Sequence, residues 1–93
     1  MSKKTADEIK QQFTNAEKLV EVGKRYQHYK DTDATALYKV TNLVLNESDQ
    51  TILVIYEALY DPFEGIEFAR PLKSFTEQVE LDGQKFKRFT CID

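Results

Sequence analysis

Two periods of hydrophobicity run along this chain, and they change over at one glycine. From Thr5 onward, Ile9, Phe13, Ala16 and Val20 recur three to four residues apart, with Lys10, Glu17 and Lys18 around the other side. That spacing lines one face of an α-helix. The preceding "TADE" (Thr5 to Glu8) fits a capping box, in which the Thr5 hydroxyl covers the third amide and Glu8 reaches back. Gly23 is expected to end the helix, because it enters the left-handed region cheaply. The stripe is narrow, and a lone helix of this length is marginal in water. It must therefore pack on the rest of the domain or on a second copy of the chain.

Beyond Gly23 the period falls to two. "KRYQHYK" alternates, and "ALYKVTNLVL" is rich in β-branched and aromatic residues. "NESDQ" is a polar turn, and "TILVIYEALY" is apolar enough on both faces for a central strand. In "DPFEG", Pro62 fixes a bend and Gly65 frees one. "IEFAR" is a short strand ended by Pro71, which cannot donate to a ladder. "LKSF" is expected to be one irregular or 3₁₀ turn. Asp82-Gly83 between two alternating segments signals a hairpin. One helix followed by five or six short strands predicts a mainly β chain, a small antiparallel barrel or roll with an N-terminal amphipathic helix. The expected division is a helix over 1–22 and a β domain over 23–93, with Gly23 and Lys24 as the hinge.

The bulk numbers fit one domain. At 93 residues, roughly 65% of the unfolded chain's surface is buried on folding. Net charge is −3, so nucleic-acid binding would need a local basic patch. The run Lys85, Lys87, Arg88 alternates with Phe86 and Phe89 and reads as a solvated strand face. Cys91 is the single cysteine and has no internal disulfide partner. With no charged-then-apolar leader, the expected compartment is the cytoplasm. No apolar run reaches the ~20 residues of a membrane span.

The segments "YQHYK", "LYKV", "VIYEALY", "ARPLKSF", "EQVELDG" and "RF" occur in that order between Gly23 and about Phe89. Together they resemble the bacterial family known as domain of unknown function sixteen-fifty-three. The resemblance implies an SH3-like barrel and brings no established activity, cofactor or partner. The family's motif residues fall on Tyr26, His28, Tyr29 and Lys30, on Tyr56, Leu59 and Tyr60, and on Arg70, Pro71, Leu72 and Phe75. The family commonly has tryptophan where Phe68 stands and often valine at Ala69. Lys87 replaces a usual proline, and Asp31 to Ala36 is longer than the usual turn.

Catalytic chemistry finds little to start from. His28 is the single histidine, and a hydrolytic triad would need a nucleophile and an orienting acid beside it. Ser2, Ser48 and Ser74 stand in no nucleophile context, and Cys91 lies close to the last residue, Asp93. No zinc-ligand spacing and no glycine-rich phosphate loop occur, so no metal or cofactor is expected. His28 itself reads as a half-buried, hydrogen-bonded histidine or as a ligand contact.

Arg70 is the most informative position. In a regular strand it shares a face with Ile66 and Phe68. A charge on an apolar face needs a partner. Glu57, Asp61 and Glu64 are the candidates within the chain, and a stack on a tyrosine is a further internal reading. The functional reading is a planar fork offered to a carboxylate, phosphate or base edge. Five tyrosines and no tryptophan place several hydroxyls at a rim, as on peptide- or nucleotide-stacking surfaces.

These readings converge on a non-enzymatic binding module whose site comprises Tyr26, His28, Tyr29, Tyr56, Tyr60, Phe68 and Arg70. The expected partner is a protein, a peptide or a small anionic ligand, with a monomer or weak homodimer as the state; the acidic balance counts against nucleic acid. One alternative is an assembly protein pairing through Ile9, Phe13 and Val20. Another is a small acid–base enzyme using His28, which requires a pocket lined by His28 and a carboxylate.

Overall fold

The computed structural model describes residues 3–93; Ser2 lies outside them. The helix α1 spans Ala6–Leu19, and its capping box forms in full: the Glu8 amide donates to Thr5 Oγ1 at 3.2 Å, and the Thr5 amide to Glu8 Oε1 at 2.9 Å. The helix ends differently from expectation. Val20 turns extended at φ −133° and ψ 126°, and its amide still reaches Ala16 O. Burial of the Val20 side chain in the core holds that turn-off. Gly23, at φ +91°, serves the following turn, where the Lys24 amide donates to Glu21 O.

Seven strands follow among the described residues: β1 Arg25–His28, β2 Leu37–Asn46, β3 Thr51–Ala58, β4 Glu67–Pro71, β5 Gln78–Leu81, β6 Gln84–Lys87 and β7 Phe89–Cys91. Five form one antiparallel sheet in the order β4-β3-β2-β1-β7, and β5 and β6 pair separately. The chain is therefore mainly β with an N-terminal helix, as its periodicity predicts, with more strands than the five or six expected. Hydrogen bonds do not close the sheet into a barrel: β4 and β7 remain its two edges. A second helix, α2 (Leu72–Thr76), takes the place of the irregular turn expected at "LKSF".

The alternation in β2 contains a switch. Tyr38 and Val40 face inward, but so do Leu43 and Leu45. Thr41 is an extra residue in the pairing, since Val40 opposes Tyr56 while Asn42 opposes Ile55. This β-bulge reverses the inward parity and tightens the local twist. Thr41 Oγ1 stabilises it by donating to Ile55 O at 3.3 Å and to Glu67 Oε2 at 3.0 Å. Asp82 and Gly83, both at positive φ (53° and 79°), make the expected tight turn between β5 and β6.

The inner face of the curled sheet packs around α2. Phe75 is 1% exposed. It stacks parallel to Phe89 with ring centres 4.2 Å apart and meets the Tyr26 edge at 5.4 Å. Ala16 of α1 and Val20 just beyond its end join the same core as Val40, Ile52 and Val54. Ala16, Val20 and Phe13 of the apolar stripe are thus covered by the chain's own core, while Ile9 lies outside that cluster, half-buried. Gln12 Nε2 donates to Gln50 O at 2.9 Å and ties α1 to the β2–β3 turn. No helix among the described residues is long and apolar enough to cross a membrane.

Candidate functional site: an arginine without a carboxylate

Strand parity builds the site. Along β4 the exposed and half-buried positions alternate, so Phe68 and Arg70 turn inward while Glu67, Ala69 and Pro71 face out. Ile66, expected on the Arg70 face, precedes the strand and is 47% exposed. Across the sheet, Arg70 opposes Val54 and Phe68 opposes Tyr56. Pro71 holds Arg70 extended, and α2 starts at the next residue.

The Arg70 guanidinium lies over the Phe89 ring, 5.7 Å from its centre. Nη1 donates to Ser74 Oγ at 2.9 Å, and Nε makes a long contact of 3.4 Å to the Tyr56 hydroxyl. Both partners are neutral. The ion pairs among the described residues join Arg25 to Asp93 and Arg88 to Glu77; Arg70 takes part in neither. Glu57 lies opposite Glu67 in the sheet, and Asp61 and Glu64 stand exposed in the β3–β4 turn. None of the three carboxylates expected for Arg70 pairs with it.

Arg70 opens onto a pocket of about 440 Å³ lined also by His28, Lys30, Asp31, Ala36, Tyr38, Tyr56 and Phe89. His28, at the end of β1, accepts the Lys30 amide on Nδ1 at 3.2 Å. That assigns its proton to Nε2 and makes it a donor. Burial holds the His28 pKa below the usual imidazole value, and the charges of Arg70, Arg88 and Lys30 push the same way, against Asp31. Asp31 is committed to its own loop. Oδ1 accepts the Thr35 amide at 3.1 Å and Oδ2 the Ala36 amide at 3.0 Å. The Gln27 side-chain amide also donates to the Asp31 carbonyl. The Tyr38 and Tyr60 hydroxyls are hydrogen-bonded to each other at 2.7 Å. Burial first, and then that bond, drives the Tyr38 pKa upward.

The residues expected to form the site divide. His28, Tyr56 and Arg70 meet in the pocket. Tyr60 reaches it through the Tyr38 hydroxyl. Phe68 stacks behind Tyr56, ring centres 5.7 Å apart. Tyr29 packs on His28 at 4.7 Å without lining the pocket. Tyr26 is 4% exposed and belongs to the core, its hydroxyl accepting the Glu21 amide at 2.9 Å. Sequence reasoning missed Tyr38, Phe89, Lys30, Asp31 and Ser74 as parts of the site. A signal existed for Ser74: had "LKSF" been read as a helix, one turn would place its hydroxyl beside Arg70.

A larger hollow, about 590 Å³, lies between the end of α1, α2 and β7, and includes Glu17, Lys18, Lys87 and Cys91. Its charges have both signs and no side chain in it makes a focus comparable to Arg70.

The order of motifs along β1 to β7 agrees with one family, described as Protein of unknown function (DUF1653), whose match covers residues 24–91. The chain belongs to this family. The DUF1653 region starts after α1 and contains every residue of the Arg70 pocket. No curated protein and no solved structure matches the chain.

Proposed function

We propose that this chain is a binding module, not an enzyme, and that it captures an acidic group of its partner through Arg70. One observation carries the reading: a half-buried guanidinium meets only hydroxyls and an aromatic ring from its own chain. A charge withdrawn from water without a counter-ion is costly. An anion arriving from outside would offset that cost and use a fork already oriented by Ser74 and Pro71. The remaining polar groups of the pocket suit the same ligand, because His28 donates through Nε2 and Asp31 is engaged by its own backbone.

The partner is a protein, a peptide or a small anionic molecule. The chain's net charge of −3 counts against nucleic acid. The free thiol of Cys91 supports a reducing, cytoplasmic setting. Coverage of Phe13, Ala16 and Val20 by the chain's own core favours a monomer over assembly through the α1 stripe.

The pocket does contain His28 together with a carboxylate, as acid–base chemistry would require. Asp31, however, spends its two oxygens on the Thr35 and Ala36 amides of its own loop and makes no hydrogen bond to His28. Binding fits this wiring better than proton transfer.

The test is an amide and arginine side-chain NMR titration of the full chain with acetate, sulfate and inorganic phosphate. At least one anion is expected to shift His28, Tyr38, Tyr56 and the Arg70 Nε–H, and Arg70→Gln should abolish those shifts while keeping the folded spectrum. If no anion perturbs the pocket, the reading is wrong.

A further inference from the structure

The pocket's donors come from three separate strands. Arg70 stands on β4, Tyr56 on β3 and His28 on β1; Lys30 follows in the turn after β1, its ammonium 5.9 Å from the centre of the Tyr29 ring. A guanidinium has five N–H groups. Arg70 uses one on Ser74 and one, weakly, on Tyr56, so the rest of the fork is left for a ligand. Tyr56 accepts from Arg70 and keeps its own proton to donate. A planar carboxylate would be satisfied by the fork alone. Donors spread over several strands instead suit an acceptor whose oxygens leave one plane, as those of a tetrahedral oxyanion do.

Charge points the same way. Arg70 and Lys30 line the pocket, and Arg88 stands close enough to depress His28, although its Nη2 is paired with Glu77. Asp31 is the opposing charge. His28 is faced by Tyr29, Lys30 and Asp31 from its own turn and by Tyr38 from β2. Tyr56 of β3, Arg70 of β4, Lys87 of β6 and Arg88 from the segment before β7 are its further titratable and charged neighbours. Burial first, and the cations among these neighbours second, hold the His28 pKa below the usual imidazole value. A dianion placed against Arg70 would reverse that balance. The proton would enter at Nδ1 and displace the Lys30 amide that Nδ1 now accepts.

We propose that the anion taken by this pocket is a phosphate-type dianion, free phosphate or a phosphomonoester, and that His28 takes up a proton as it binds. This rests on the Arg70 reading above and adds the ligand class and its proton linkage.

The single histidine makes the test direct, since the imidazole C–H signals of the full chain belong to His28 alone. Sulfate serves as a tetrahedral dianion that does not titrate in this range. Saturating sulfate is expected to raise the His28 midpoint by about one pH unit, and by linkage to bind about tenfold tighter below that midpoint than above it. Inorganic phosphate and glycerol phosphate should bind more tightly than acetate, and whichever of the two binds tighter identifies free phosphate or a phosphomonoester as the source. His28→Gln should keep sulfate binding at high pH and lose its pH dependence. Acetate binding as tightly as phosphate would overturn the ligand class while leaving Arg70 as an anion site. Sulfate saturating the pocket with the His28 midpoint unmoved would overturn the proton uptake. Silence from every anion would remove this proposal and the binding module together.

Discussion

Arg70 and Arg88 hold the same residue from two sides and end in opposite states. Arg70 donates to the Ser74 hydroxyl at 2.9 Å, and Arg88 donates through Nε to the Ser74 carbonyl at 3.0 Å. The Arg88 guanidinium then meets the Glu77 carboxylate at 2.6 Å. Its charge is answered within the chain, and it closes the corner between α2 and β7. The Arg70 guanidinium has the same anchor and no carboxylate. The difference teaches how one anchor can serve two charges: Arg88 is neutralised within the chain, whereas Arg70 is oriented by hydroxyls and a ring alone, and on that difference the binding proposal rests.

The comparison can be broken at its shared support. Phe75 carries Ser74 on α2 and stacks on Phe89, over which Arg70 lies. Phe75→Ala should destabilise the chain by about 3–5 kcal/mol, the usual cost of removing a buried aromatic ring, measured by urea unfolding. Both arginine corners would be lost together. Retention of most stability would mean that Phe75 is not central.

Next come the arginines themselves. Arg88→Met should cost about 1–2 kcal/mol, since it leaves the Ser74 carbonyl and Glu77 without their donor. Arg70→Met should change stability by less than about 0.5 kcal/mol, because relief of an unanswered charge offsets the lost Ser74 bond. A loss at Arg70 equal to that at Arg88 would make the two residues alike and end the distinction.

The smallest effect is a pH dependence. His28 has its pKa lowered in the fold, through burial first and neighbouring cations second. The unfolded chain therefore binds the proton more readily. Stability is at its full value above the ordinary histidine pKa of about 6.5 and declines as pH falls from there toward the folded value. His28→Gln should flatten that segment of a stability–pH curve. Carboxylates act lower down. Asp49 and Asp93 have lowered pKa values because Thr51 and Arg25 donate to them, so their contribution is present above about 4 and is lost as pH falls further. A wild-type curve that is level between pH 6.5 and the carboxylate range, which is where the two effects separate, would contradict the His28 assignment.

Some of this architecture is written locally. The Thr5–Glu8 box, the Asp82-Gly83 turn and the inward parity of Phe68 and Arg70 each depend on residues at most a few positions apart. Other features are not written that way. The Thr41 bulge reverses the inward set of β2, and nothing in "YKVTNLVL" marks which residue is extra; only pairing with Tyr56 and Ile55 does. Tyr26 and Tyr56 occupy similar strand contexts, yet Tyr26 sinks into the core beneath Phe75 while Tyr56 also reaches the pocket. Tyr38, absent from the expected site, enters it because the curl of β2 carries its hydroxyl to Tyr60.

By itself, then, the sequence determined the helix, the strand periods, the family and the singular character of Arg70, because these rest on short-range sterics and on burial period. Whether that arginine has a carboxylate was decided only in three dimensions. Glu57, Asp61 and Glu64 are all near in sequence, but the pleat directs Glu57 away from the Arg70 face and the β3–β4 turn leaves the other two in solvent. Coulomb attraction acts through space, and the curl of the sheet set those distances.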